Sequence, residues 1–316
     1  MDKKPLIILT GPTAVGKTAL SIHLAKKING EIISADSMQV YKGMDIGSAK
    51  ITKEEMDGVK HHLIDILEPS EEFNIVKFQT LSKQAMEEIY AKGKIPIIAG
   101  GTGFYIQSVL YDIDFEENQS DKEYRTFLEN IAKEEGGCEK LYEMLMKVDP
   151  ASANIVHANN VKRVIRALEF YKETGTKISE HNEEQRKKES PYNFCYFVLN
   201  DERERLYANI DKRVDIMLDN SLIDEVKKLH EKGYTKDMVS MQGLGYKEIL
   251  SYLEGEISLD RAIYLIKRDT RHFAKRQLTW FRREKCVTWV NKPDFHYENE
   301  AILGYMLEKL KEIGIK

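Results

Sequence analysis

The sequence predicts an α/β protein built on a parallel sheet, and three observations predict it. Short apolar runs, PLIILT (5–10), EIISADS (31–37), HHLIDIL (61–67) and KIPIIAGGTG (94–103), alternate with helix-like segments. The first run leads straight into a glycine-rich loop, and a further apolar run, FCYFVLN (194–200), returns after a long polar stretch. Strands that are apolar at nearly every position are buried on both faces, the pattern of a parallel sheet with helices packed against it.

The elements follow in order. Ala19 to Ile28 sets Ala19, Leu20, Leu24, Ala25 and Ile28 at helical spacing, and Asn29-Gly30 closes that helix. Phe73 to Lys92 reads as a long amphipathic helix stopped by Gly93. At about Glu116 the composition changes: residues 116–190 are polar and helix-rich, with Asp149-Pro150 as a break. The economical division is a core of residues 1–115 and 194–316 with a mostly helical insertion domain, 116–193. Beyond Asp201 the chain is again largely helical, with one or two helices over 202–233 and another over 259–284. CVTWV (286–290) is a short last strand and 297–316 a terminal helix.

Composition narrows the class. The 316 residues are 42% hydrophobic and 32% charged, ordinary for a globular protein. No apolar run approaches the ~20 residues that span a bilayer, and MDKKPLIILTG runs directly into a strand. A cytosolic protein with no membrane partner is the expectation. Cys138, Cys195 and Cys286 lie far apart with no C-x-x-C, which disfavours zinc and disulfide frameworks. The net charge of −4 hides segregation: Lys267 to Lys285 holds eight Lys or Arg against Asp269 and Glu284, while Glu116 to Glu139 is acidic. Such asymmetry marks a polyanion-binding face.

The loop GPTAVGKT (Gly11, Pro12, Thr13, Ala14, Val15, Gly16, Lys17, Thr18) fits the template G-x-x-x-x-G-K-[ST] without a mismatch. Its glycines let backbone N–H groups wrap phosphate oxygens at a helix N-terminus. Lys17 would meet the terminal phosphate, and Thr18 would help hold Mg²⁺. With a strand before and a helix after, the core is predicted to be P-loop NTPase-like, with the helical insertion and a helical C-terminal region added.

The motif specifies phosphate binding, not the reaction. An ATPase or GTPase of this kind offers a strand ending in Asp to support Mg²⁺. Here the fourth strand ends IIAGGTG, and Asp65 lies inside the third predicted strand. The second strand does carry a carboxylate at its tip, Asp36, where strand ends face the ligand crevice. Such a carboxylate can help a metal or take a proton from a nucleophile; it can also be a plain turn or cap residue. His61-His62 resembles a metal pair, but adjacent strand residues point to opposite faces, so a structural role is expected.

GPTAVGKT, ADSMQVYKGMDIGSAK, HHLIDI, IAGGTGFYIQ, NNVKRVIRALE, MQGLGYKE and AKRQLTWFR, in this order, resemble the bacterial type of the tRNA dimethylallyltransferase family over nearly the whole chain. The resemblance implies transfer of a dimethylallyl group from dimethylallyl diphosphate to N6 of adenine 37, beside the tRNA anticodon, with Mg²⁺. The loop would then grip a leaving group, and carbon rather than phosphorus would be attacked. By the same resemblance Asp36 is the catalytic base and Thr102 contacts the target nucleotide. Arg213 faces the diphosphate, and Asp36, Ser37, Met38 and Gln39 contact the flipped base. Arg125 in the insertion touches the RNA. From spacing alone, Arg163 and Arg166 share a helix face and are candidates to meet loop phosphates or bases. The stripe Arg268, Arg271, His272, Lys275 and Arg276, interleaved with Phe273, Trp280 and Phe281, is a further tRNA candidate; its alternative is a solvated face with core aromatics. The insertion is a plausible second jaw for the anticodon stem-loop, and a monomer is the expected state. MQGLGYKE lacks the basic residue common at its start in relatives.

Three other readings compete: a P-loop small-molecule kinase, a prenyltransferase of free adenine nucleotides, and a P-loop protein that only binds RNA. The kinase gives no reason for DSMQVY. Neither of the first two needs the basic C-terminal helix, and the pure binder leaves Asp36 and Lys17-Thr18 without work.

Overall fold

A computed structural model describes residues 3–115 and 122–315. The chain forms two compact units, one of residues up to Leu110 and from Pro191 onward, the other Tyr111–Ser190. The insertion start expected at Glu116 lies outside the described residues.

The first unit contains β1 (Pro5–Thr10), α1 (Lys17–Lys27), β2 (Gly30–Ala35), β3 (His61–His62), α2 (Ile75–Ala91), β4 (Ile95–Gly100) and α3 (Gly103–Leu110). The second unit holds α4 (Lys122–Lys133), α5 (Gly137–Val148), α6 (Pro150–Ala153), α7 (Val161–Thr174) and α8 (Ile178–Lys187). The chain then returns to the first unit with β5 (Asn193–Asn200), α9 (Arg203–Asp219), α10 (Leu222–Glu231), α11 (Tyr246–Leu253), α12 (Leu259–Phe281), β6 (Val287–Asn291) and α13 (Asn299–Glu312).

Among the described residues six strands pair in parallel in the order β3-β2-β4-β1-β5-β6, a P-loop NTPase-like α/β core. Leu6, Ile7, Ile8 and Leu9 of the central β1 are fully buried, as a strand covered on both faces requires. One register detail places the chemistry. Gly100 of β4 is the partner of both Thr10 of β1 and Ala35 of β2. The residues that follow, Gly11, Gly101 and Asp36, therefore leave the sheet side by side at one edge. A Cβ on Gly100 would lie 2.4 Å from the Ala35 carbonyl oxygen, so only glycine fits that junction.

The expected strand over 61–67 shrinks to His61–His62. Leu63 and Asp65 take left-handed backbone angles (φ 64° and 54°), which turn the chain out of the sheet. Asp65 is thus not inside a strand; its carboxylate pairs with Lys50 at 2.5 Å. The two histidines diverge, His61 Nδ1 donating to the Val59 carbonyl and His62 Nε2 meeting Glu31. Residues 202–233 form two helices, α9 and α10, broken where Ser221 adopts φ 70°.

In the second unit Leu128, Leu141, Leu145, Val164, Ile165 and Leu168 form the core. The Asp149-Pro150 break is a helix start. Buried Asp149 accepts the Ser152 N–H (3.0 Å) and hydroxyl (2.6 Å) and the Ser179 N–H (3.0 Å) and hydroxyl (2.7 Å). Burial raises its pKa, but these bonds outweigh that and hold it below the ordinary value.

Candidate active site

The β1, β2 and β4 ends open into a cavity of about 120 Å³. Its walls include Thr13, Ala14, Gly16, Lys17 and Thr18 of the P-loop, Asp36 and Gln39 after β2, Gly101 after β4, and Arg213 from α9. Gly11 takes φ 147°, and a Cβ there would lie 2.5 Å from the Leu199 carbonyl oxygen, which explains its identity. Val15 is buried and anchors the loop from below.

Lys17 is half-buried, and its ammonium donates to the Gly11 (2.9 Å) and Pro12 (2.8 Å) carbonyls. Burial, then the Arg213 charge, lowers its pKa to about 7 against a smaller upward pull from Asp36. Arg213 donates to the Thr13 hydroxyl at 3.5 Å and is lowered by burial while Asp36 opposes the shift. Asp36 Oδ1 accepts the Met38 N–H at 2.9 Å. Burial raises the Asp36 pKa, and the Met38 N–H, Lys17 and Arg213 recover only part of that. Asp36 thus lines the cavity together with Lys17 and Arg213, and burial works against the charged form of all three.

Thr102 does not line the cavity. Its N–H donates to the Ala35 carbonyl at 3.2 Å and its own carbonyl starts α3, so it stands next to Asp36 at the rim. Ser37 and Met38 lie on the same turn, Met38 packed so closely on Gly243 that a Cβ there would sit 2.6 Å from its methyl.

The basic stripe of α12 divides. Arg271 is ion-paired to Asp211 of α9, and Lys267 to Asp215; Arg268 pairs with Asp269. Lys275 and Arg276 are exposed and carry no ion pair among the described residues. Within the second unit Arg125 pairs with Glu129 (3.0 Å) and Glu169 (3.6 Å), and Arg163 and Arg166 are exposed one turn apart on α7.

Two contributors escaped the reading of the sequence. Gln277 of α12 is buried; its Oε1 accepts the Thr13 N–H (2.9 Å) and its Nε2 donates to the Gly101 carbonyl (3.0 Å). It ties the P-loop to the glycine turn. A polar residue between Ala274 and Phe281 on the apolar face of the helix was the available signal. Lys292, just after β6, donates to the Val15 carbonyl at 3.2 Å; nothing local marks it.

A family model described as IPP transferase matches residues 39–284. The chain belongs to the IPP transferase family. It is 63% identical over 309 residues to the tRNA dimethylallyltransferase of Lachnoclostridium phytofermentans, covering 98% of each chain. The crystal structure of the full-length tRNA isopentenylpyrophosphate transferase of Bacillus halodurans is similar at a TM-score of 0.74 and 46% identity, covering 98% of both. A eukaryotic dimethylallyltransferase acting on tRNA is similar at a TM-score of 0.79 and 34% identity, over 91% of this chain and 74% of that one. The P-loop and Asp36 precede the family-model match but fall within these nearly full-length similarities.

Proposed function

We propose that this chain is a tRNA dimethylallyltransferase, moving the dimethylallyl group of dimethylallyl diphosphate to N6 of adenine 37. The observation that carries the reading is Asp36, a partly buried carboxylate that lines one small cavity together with Lys17, Arg213 and the P-loop. Membership of the family and the tRNA substrates of its named relatives support it.

An exocyclic adenine amine is a weak nucleophile because its lone pair is shared with the ring. In the proposed step N6 forms a bond to C1 of the allyl group. The C1–O bond breaks with its electron pair leaving on diphosphate, and Asp36 takes the N6 proton. Lys17, Arg213 and the loop N–H groups meet the charge growing on the leaving oxygen. Holding both partners at one sheet edge supplies the alignment.

Mg²⁺ fits this donor set. Thr18, in the first turn of α1, lines the cavity with Asp36, and no group of three metal-binding side chains occurs among the described residues. That suits an ion held mostly by substrate phosphates and water. When bound, it would neutralise diphosphate charge.

The target base must leave its stack to reach Asp36, at a cost of a few kcal/mol that a hairpin loop reduces. Asp36 to Gln39 and Thr102 would receive it. Lys275 and Arg276, with Arg271 freed or kept in its pair, would meet RNA phosphates. Arg125, Arg163 and Arg166 of the helical insertion would contact the RNA. Among the described residues no helix is long and apolar enough to cross a membrane. We assign the enzyme to the cytoplasm, where its named tRNA-modifying relatives would meet their substrate, and read it as a monomer.

The test mixes the protein, Mg²⁺, labelled dimethylallyl diphosphate and unmodified tRNA bearing A36-A37-A38. Label in RNA at A37 is expected. Label on free adenine nucleotides alone, or γ-phosphate transfer from ATP in place of prenylation, overturns the proposal.

A further inference from the structure

The cavity wall contributed by Gln39 and Ala49 is held from outside the cavity by a residue with no part in the chemistry. Glu225 of α10 accepts four hydrogen bonds. Its Oε2 takes the backbone N–H groups of Asp45 (2.9 Å) and Ile46 (2.8 Å), and its Oε1 takes the Gly47 N–H (3.1 Å) and the Tyr246 hydroxyl (2.7 Å). Three successive N–H groups from one turn onto one carboxylate make a nest occupied by a side chain. Gly47 lies on the Tyr246 ring so closely that a Cβ would meet two ring carbons at 2.6 Å.

The turn then closes on itself. The Ser48 hydroxyl donates to the Met44 carbonyl (2.6 Å), the Ala49 N–H to Ile46 (3.0 Å) and the Lys50 N–H to Asp45 (2.9 Å). This forces Ala49 to φ 48°, a left-handed conformation that a residue with a side chain keeps only when its surroundings over-determine it. In that conformation the Ala49 carbonyl accepts from Gln39 Nε2 at 3.4 Å, while Gln39 Oε1 takes the Ser34 hydroxyl at 3.0 Å. Both ends of the Gln39 amide are thereby assigned. One Nε2 hydrogen is left to meet a ligand in the cavity, which Ser48 and Ala49 also line.

We propose that Glu225, with Tyr246, is a positioning residue. It fixes the Asp45–Gly47 backbone, which aims the Ala49 carbonyl, which orients the Gln39 amide toward the target base. The inference rests on the reading above in which Gln39 meets the adenine. All four bonds of Glu225 go to this turn or to the hydroxyl of the tyrosine packed against it, and Glu225 is only half-buried. Its purpose is local order at the wall, not core packing.

The experiment is a double-mutant cycle on the full chain, with kcat and KM for tRNA and for dimethylallyl diphosphate measured separately and folding followed by thermal melting. Glu225→Ala should lower kcat/KM for tRNA by about tenfold, the scale of coupling through one hydrogen-bond network, and leave KM for the diphosphate unchanged. Glu225→Gln, which keeps an acceptor, should recover part of the loss. In a Gln39→Ala background the Glu225→Ala effect should shrink to within about twofold. Tyr246→Phe, which removes one donor, gives the same test at about threefold should Glu225→Ala not fold. Equal losses in both backgrounds, or no loss in the Glu225 variants, overturn the inference while wild-type transfer stands. A wild type that prenylates no RNA overturns the reading of the site itself.

Discussion

One carboxylate lies near the start of strand β2 and another just past its end, and the two have opposite fates. Glu31, at the start, is buried with His62 Nε2 at 2.8 Å, Lys94 at 2.9 Å and Lys92 at 3.1 Å. Burial alone would raise its pKa, but the His62, Lys94 and Lys92 contacts bring it down to about 2. Asp36, just past the other end, is met by the backbone N–H groups of Met38 and Gln39 and forms no ion pair among the described residues, and burial keeps its pKa raised. Sequence distance is five residues; the difference is what the sheet edge supplies. At the first edge the neighbours complete the charge, and at the second they leave it for a ligand or a proton. Groups whose environments push them away from their ordinary titration, in a cleft, are where chemistry is expected.

The largest expected effect that can break this contrast is on turnover. Asp36→Asn should cut single-turnover prenyl transfer by about 10²-fold or more, the scale of a lost general base. Binding of dimethylallyl diphosphate and the melting temperature should be kept, since the charge removed is a desolvated one. Unchanged turnover, or a marked fall in melting temperature, would make Asp36 a structural residue like Glu31.

Glu31→Ala should do the reverse. Urea unfolding should show a loss of about 2 kcal/mol, less than the roughly 3–5 kcal/mol of a fully buried pair because Lys92 and Lys94 stay partly solvated; turnover per folded molecule should not change. The pH dependence separates the two further. The folded Glu31 titrates below its unfolded value, so its stabilisation is complete above the ordinary carboxylate range and is lost as pH falls toward about 2. Burial pushes Asp36 up from its ordinary value, so the acid limb of the rate should be displaced upward, rising with pH as the base ionises. Acid stability unaltered by Glu31→Ala, or an acid limb at ordinary carboxylate pH, contradicts the contrast.

The smallest effect concerns Lys17. Burial and the Arg213 charge push its pKa down to about 7, and the negative charge of a diphosphate would raise it. Above pH 7 binding should therefore take up a proton and weaken severalfold per pH unit, at most about tenfold. Calorimetry at pH 8 in buffers of different ionisation heat reads the uptake directly. Zero uptake would mean that Lys17 is already charged there.

Much of this was legible in the chain. GPTAVGKT and the strand before it located the phosphate grip, because that loop needs those residue types whatever surrounds it. Asp36 was legible as a strand-tip carboxylate. HHLIDIL was misread because an apolar run does not reveal left-handed angles at Leu63 and Asp65. Helix α3 was missed because GGTG reads as a turn, although Gly103 begins a helix with Trp280 filling the place of its Cβ. The basic stripe of α12 was visible as spacing. That Arg271 faces Asp211 while Lys275 and Arg276 face outward depends on where α9 packs.

The sequence by itself determined the local chemistry: a loop for phosphates, a parallel α/β core around it, a carboxylate at a strand end and the resemblance that names the reaction class. Only the tertiary structure decided which of these groups share an environment. Gly100 aligns the ends of β1 and β2, Gln277 joins the P-loop to the glycine turn, and Glu225 holds a wall 178 to 180 residues away in sequence. The physical reason is that backbone propensity and motif act over a few residues. Desolvation, charge pairing and hydrogen-bond satisfaction act through space, between residues the chain brings together only on folding.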